Sequence, residues 1–168
     1  MVTTAWRLFA STLRKTAPTR KTNGVCRRKV SLAGEAQMLT LLFDHKNRVL
    51  LARFSGIYTS DDIAAFDRGV GRFVAEEGAV RGLYDFSRVE AVAVPKTKFF
   101  ELGRRPQLAL DQDRVIVAPQ LEIYELARLY AALQRDFGNV EPRIVRTLAE
   151  AYELLGLRNP EFAPVAGE

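Results

Sequence analysis

The sequence is short of the side chains that most catalytic and metal sites need. Cys26 is the only cysteine and His45 the only histidine among 168 residues. One cysteine forms no internal disulfide and no thiolate metal cluster, and one histidine in a polar turn has no evident partner to orient it as a base. We therefore expect a non-enzymatic protein of the reducing cytoplasm, with no catalytic residue, no metal site and no cofactor.

Long hydrophobic runs are absent as well. No run approaches the roughly 20 apolar residues that cross a bilayer, and the most apolar windows, 39–43 and 49–54, have the length of strands. Hydrophobic residues still make up 48% of the chain, which is enough for a core. The roughly 130 residues that follow residue 37 fit one domain.

Acidic residues are scarce only at the start of the chain. Residues 1–37 hold eight of the 25 Lys and Arg but one of the 20 Asp and Glu, a net charge of +7. The remaining 17 basic and 19 acidic residues leave 38–168 at −2. The part with a core therefore gives no electrostatic reason to expect nucleic acid as a partner.

The basic segment 1–37 is interpreted as a disordered N-terminal extension, and three alternatives concern its role. Helical spacing of Trp6, Phe9, Ala10 and Leu13 favours a short amphipathic helix on an anionic membrane surface. The same composition is typical of an organelle transit peptide. A translation start at Met38 would instead leave the segment out of the natural protein. Membrane contact is expected only through this segment.

Apolar periodicity and capping residues predict the element order ββαβαβαβα. The strands are predicted at Leu39–Phe43, Arg48–Phe54, Val80–Phe86, Arg114–Ala118 and Arg143–Val145, and the helices begin after Thr59, Pro95, Pro119 and Thr147. This order predicts a single α/β domain over 38–157, with a mixed sheet, an antiparallel opening hairpin and flanking helices. Residues 158–168 are expected to form a flexible C-terminal tail.

Two glycines interrupt the first predicted helix. Gly69 and Gly71 each cost about 1 kcal/mol relative to alanine inside a helix. Close packing of that helix on the sheet would explain both of them.

Several segments together resemble the SpoIIAA-like branch of the STAS family. They are the run Val80–Val89 with Asp85-Phe86-Ser87, the strand and proline Arg114–Pro119, the helix segment Tyr124–Tyr130, and the closing segments Arg143–Leu148 and Ala151–Leu155. The resemblance covers roughly residues 38–157 and implies a small α/β domain of STAS/SpoIIAA-like fold. It implies a regulatory role through binding of protein partners or small ligands.

In regulatory STAS members, an Asp–aliphatic–Ser strand end leads to a phosphorylatable serine at a helix start. Asp85-Phe86-Ser87 matches that strand end apart from its aromatic middle residue. Residues 91–97 lack the serine-rich pattern, which argues against the phosphorylation switch, and Thr97 is the nearest hydroxyl.

The predicted loop after the third strand carries a cluster of polar and basic residues. Carboxyl ends of parallel strands and helix N-termini are common places for anionic ligands. We therefore predict a binding site at this loop and the start of the following helix, formed by Asp85, Ser87, Lys96, Thr97 and Lys98. Tyr124, Arg128 and Tyr130 are interpreted as packing and surface residues.

The sequence thus favours a non-enzymatic STAS-like module that binds a protein partner or a small ligand. The alternative is a peripheral membrane or lipid-responsive protein anchored by its basic N-terminus. The identity of the partner, the oligomeric state and the pathway stay open.

Overall fold

The computed structural model describes residues 38–108 and 113–165. The expectations for residues 1–37, including Cys26 and the amphipathic segment, and for residues 166–168 lie outside the described residues. The elements follow the predicted order with one further strand, and their bounds are β1 Leu39–Asp44, β2 Val49–Tyr58, α1 Ser60–Glu77, β3 Arg81–Val92, α2 Lys96–Arg104, β4 Arg114–Val117, α3 Leu121–Asp136, β5 Arg143–Val145, α4 Leu148–Leu155 and β6 Ala163–Pro164.

The six strands form one mixed sheet in the order β5-β4-β3-β2-β1-β6. β1 is antiparallel to β2 and β6, whereas β2, β3, β4 and β5 are mutually parallel. The predicted antiparallel opening and mixed α/β sheet are confirmed. Each parallel pair is joined through a helix, which is the connection that parallel strands require.

The helices divide between the two faces of the sheet. Apolar residues of α1 and α3 pack with Leu50, Ala52 and Ile116 on one face, which we call the three-helix face because α2 packs beside α3 there. Ala151 and Leu155 of α4 pack with Val49, Leu51, Leu83, Val115 and Val117 on the other face, the one-helix face. Successive right-handed crossovers in one direction along a sheet place their helices on one side, as α1, α2 and α3 are.

Both helix starts predicted from threonines form. Thr59 caps α1 by accepting from the Asp62 backbone N–H, while the Asp62 carboxylate accepts from the Thr59 N–H at 2.7 Å. Thr147 accepts from the Glu150 N–H at 3.2 Å, but the Glu150 carboxylate binds the backbone of Arg146 instead of that of Thr147. Both hydrogen bonds of a capping box are therefore formed at the start of α1, whereas only the bond to the threonine side chain is formed at the start of α4.

The central strands β2 and β3 run further than the sequence indicates. β2 continues to Tyr58 and β3 to Val92, with register shifts between Arg53 and Ser55 and between Gly56 and Ile57. The predicted end of the third strand at Phe86 was wrong, because these irregularities let the two strands stay paired. The segment expected to be a loop after Phe86 is therefore strand as far as Val92.

The C-terminal segment also joins the sheet. Ala163 and Pro164 pair with Phe43 and Leu42, and the Val165 N–H donates to the Leu41 carbonyl at 3.0 Å. The expected flexible tail was wrong for residues 158–165, because edge pairing with β1 and a tilted ring contact of Phe162 with Tyr152 hold the segment. The folded part extends at least to Val165.

The two glycines of α1 differ in their surroundings. A Cβ at Gly69 would lie 2.7 Å from the Leu41 Cδ1 of β1, so the predicted close packing is confirmed there. A Cβ at Gly71 would meet no atom within 4 Å, and the packing explanation was wrong for that position. None of the helices formed by the described residues is both long and apolar enough to cross a membrane.

Candidate functional site

Asp85 and Ser87, predicted to end a strand, lie in the middle of β3. Asp85 is 1% exposed, and its carboxylate accepts from the Arg53 Nε at 3.3 Å and from the Ser87 backbone N–H at 2.9 Å. Strand alternation puts Asp85 on the one-helix face with Leu83. This carboxylate is engaged inside the domain.

Lys96, Thr97 and Lys98 form the first turn of α2, as predicted. Lys96 and Thr97 are exposed, and the Lys98 ammonium binds the Glu101 carboxylate at 2.8 Å. The hydrogen bond from the Lys98 side chain, followed by the Lys98 charge, holds the pKa of Glu101 below its usual value, against an opposing effect of burial. Since α2 packs on the three-helix face, these residues and Asp85 do not meet in one site. A binding role for the five residues stays a prediction.

A different site is formed between the three-helix face and helices α1, α2 and α3. A cavity of about 240 Å³ lies there, lined mainly by apolar side chains of β2, β3, β4 and the three helices. Its aromatic wall consists of Phe54, Tyr58, Phe66, Tyr84, Phe86, Phe99 and Tyr130. We call this space the aromatic cavity.

The aromatic wall is held by ring contacts within the domain. Phe54 and Phe86 stack at 4.5 Å between ring centroids, and Tyr58 meets both rings edge to face. Phe66 of α1 meets the Tyr84 ring of β3 edge to face at 5.2 Å. Such pairs contribute roughly 0.5–1.5 kcal/mol beyond burial, so the wall is a preorganised surface.

One part of the aromatic cavity is polar. Arg114, which begins β4 and is 5% exposed, donates to the Tyr130 hydroxyl and to the Gln134 Oε1, both at 3.0 Å. Gln134 in turn donates to the Gly103 carbonyl at 2.7 Å, which links α3 to α2. Asp67 and Arg105, at 2.8 Å from each other, also line the cavity.

The tyrosine hydroxyls of the cavity keep their protons. Burial is the main cause that raises the pKa of Tyr58, Tyr84 and Tyr130 above its usual value. The Arg114 charge opposes the rise at Tyr84 and Tyr130, and the nearby Asp67 adds to it at Tyr58 and Tyr130. These groups can therefore act as neutral hydrogen-bond donors.

Other candidate chemistry is sparse in the part of the chain that the structure describes. Within residues 38–108 and 113–165, no three His, Cys, Asp or Glu side chains cluster closely enough to hold a metal ion. His45 is exposed in the β1–β2 turn, with its ring against Phe43 at 4.6 Å. Its position is that of a turn residue, as the sequence indicates.

Sequence reasoning missed the aromatic cavity. Tyr130 was interpreted as a packing residue, and Arg114 only as the start of a strand. One signal was present, since an arginine directly before the β-branched run Val115-Ile116-Val117 is unusual at the start of a buried strand. The aromatic residues gave no such signal because aromatics are common in strands and cores.

Comparison with known proteins gives a structural likeness. No family model matches the chain, and no curated protein matches it. Among solved structures, the chain is similar to the anti-sigma factor antagonist SpoIIAA in its unphosphorylated form. The two share 14% identity over 70% of this chain and 97% of that one, with a TM-score of 0.49. At this identity the likeness concerns the fold alone.

Proposed function

We propose that this chain is a binding module that takes a small apolar molecule into the aromatic cavity. The observation that carries the proposal is a cavity of about 240 Å³ with seven aromatic side chains in its lining. Ligand sites in proteins are typically concave and apolar, with a few placed polar groups. The aromatic cavity has this composition.

The size of the cavity sets the size of the ligand. An engineered apolar cavity of about 150 Å³ is large enough to bind benzene. The aromatic cavity is larger, so it fits a substituted ring or an alkyl chain of medium length. A rigid aromatic wall favours such a ligand because little side-chain freedom is lost on binding.

The aromatic cavity is partly open to solvent. Apolar surface that stays in contact with water in such a cleft is favourable to bury against a ligand. Here the ring contacts and the Arg114–Gln134 network surround the cavity from the sheet and from α2 and α3. A molecule that binds there would contact all of these elements and stabilise the folded state by mass action.

Titration with 1-octanol followed by amide NMR shifts tests the proposal. We expect saturable shifts at residues lining the cavity. Ala127→Leu places a larger side chain in the cavity from α3, where Ala127 is 8% exposed, and should reduce the affinity about tenfold or more.

Ala132→Leu is the matched control, because Ala132 lies on the same helix, is half-buried and does not line the cavity. It should leave the affinity for 1-octanol unchanged. Absence of saturable binding in the unmodified chain would contradict the proposal, and so would equal affinity in both variants.

A further inference from the structure

Two buried polar atoms at the aromatic cavity have no hydrogen-bond partner among the described residues. They are the Nε of Arg114, a donor, and the Oε1 of Gln107, an acceptor. The two residues are 5% and 8% exposed, and both line the cavity. Buried polar groups are rarely left unpaired, so each such atom calls for an explanation.

The two side chains meet at one backbone oxygen. The Arg114 Nη2 donates to the Val140 carbonyl at 2.5 Å, and the Gln107 Nε2 donates to the same oxygen at 3.1 Å. The amide orientation of Gln107 follows from that bond, since its nitrogen must face the carbonyl. The unpaired donor and the unpaired acceptor therefore belong to neighbouring side chains at one part of the cavity wall.

Within residues 38–108 and 113–165, the Arg114 charge also has no acidic partner. The groups that accept its hydrogen bonds, the Tyr130 hydroxyl, the Gln134 amide oxygen and the Val140 carbonyl, are all neutral. Asp67, the acid that lines the cavity, is paired with Arg105, and among the described residues Arg114 forms no ion pair. A buried cation without a counterion is unfavourable, and a bound anion would relieve that cost.

We propose that the aromatic cavity selects an apolar carboxylic acid, bound as the carboxylate by Arg114. This inference rests on the proposed function and names the class of its ligand. The Arg114 Nε would donate to one carboxylate oxygen, and the Tyr130 hydroxyl, whose oxygen already accepts from Arg114, has its proton free to donate as well. A hydroxyl group beside the carboxylate would complete the set by donating to the Gln107 Oε1.

The number of donors favours a carboxylate over a phosphate. A phosphate group presents three or more strong acceptor oxygens, whereas one unpaired nitrogen and one hydroxyl proton suit the two oxygens of a carboxylate. Apart from the paired Asp67 and Arg105, the rest of the lining is aromatic and aliphatic, which matches the apolar body of such an acid.

The affinities of the full chain for octanoate and 1-octanol at neutral pH test the inference. The two probes share their alkyl chain and differ in the polar end. We expect octanoate to bind about tenfold tighter or more, because hydrogen bonds to charged groups are the stronger ones. Equal affinities would overturn the carboxylate inference and leave the proposed function intact, whereas no binding of either probe would overturn both.

Substitution separates the role of Arg114 from that of general charge. Arg114→Gln should remove the preference for octanoate over 1-octanol, while Arg128→Gln, an exposed position on α3 outside the cavity, should keep it. A preference that survives Arg114→Gln, or one that Arg128→Gln removes equally, would overturn the inference. If Arg114→Gln fails to fold, the ratio of the affinities for octanoate and 1-octanol in the unmodified chain still tests the inference.

The contribution of Gln107 is tested with 3-hydroxyoctanoate. We expect this acid to bind several-fold tighter than octanoate, and Gln107→Leu to abolish the gain, because one neutral hydrogen bond contributes a modest amount. A gain that persists in Gln107→Leu, or no gain at all, would overturn the assignment of Gln107.

Discussion

Arg53 on β2 and Asp85 on β3 are register partners and form an ion pair on the one-helix face. The Arg53 Nε lies 3.3 Å from the Asp85 Oδ2, and Asp85 is almost completely buried. The same carboxylate accepts from the Ser87 backbone N–H. Asp85 and Ser87, the two polar residues of the motif that resembles a STAS strand end, are therefore bound to each other, and Asp85 is also bound to the neighbouring strand.

Removing the arginine should destabilise the domain. Arg53→Met leaves Asp85 buried with the Ser87 N–H as its remaining donor among the described residues, and we expect a loss of about 1–3 kcal/mol in the free energy of unfolding. The double variant Arg53→Met/Asp85→Leu should recover most of that loss, because no charge is then buried. Chemical denaturation of the three proteins measures both effects. A double variant as unstable as the single one would contradict this account.

Asp44 should make the domain sensitive to acid. Burial raises the pKa of its carboxyl, but hydrogen bonds from the Asn47 side chain and from the Asn47, Glu161 and Lys46 backbones outweigh that effect and hold the pKa below its usual value. A carboxyl whose pKa is lower in the folded state stabilises the folded protein at pH values above its unfolded-state pKa. This stability is lost as the pH falls through the folded-state pKa.

The measurement is the free energy of unfolding between about pH 2 and 7 for the unmodified chain and for Asp44→Asn. We expect the variant to be less stable at neutral pH and to lose less stability below about pH 4. Two pH curves that run parallel would show that Asp44 does not cause the acid sensitivity.

The two glycines of α1 should respond differently to alanine. Gly71→Ala adds a Cβ in open space and should stabilise the domain by about 0.5–1 kcal/mol through helix propensity and a less flexible unfolded chain. Gly69→Ala places its Cβ against the Leu41 side chain, which must move, so its gain should be smaller or negative. Thermal and chemical unfolding measure the stability of both variants. A larger gain in stability for Gly69→Ala than for Gly71→Ala would contradict the close packing of Gly69 against β1.

The predicted contact surface at the start of α2 has a separate test. If Lys96 and Lys98 bind an acidic protein partner, Lys96→Glu/Lys98→Glu should weaken capture of an identified partner about tenfold or more, through charge reversal at two positions. The exposed Arg128→Glu on α3 is a control for net charge. Unchanged capture by the double variant would remove this surface from consideration, without any consequence for the aromatic cavity.

The local signals in the sequence predicted most elements correctly. Thr59 and Thr147 cap helices, the β1–β2 turn lies where its polar residues indicate, and β5 has the predicted bounds Arg143–Val145. These features depend on residues close together in the chain, whose spacing the sequence displays directly. The predicted end of β3 failed because its continuation depends on pairing with β2, a partner some thirty residues earlier.

The sequence by itself determined the mixed α/β architecture and the order of its elements, because periodicity, caps and turn residues act locally. Only the tertiary structure decided that Phe54, Phe66 and Phe86, from three different elements, surround one cavity with Arg114 at its polar part. The reason is that a strand shows which residues share a face, whereas the space between that face and three helices depends on how all of them pack together.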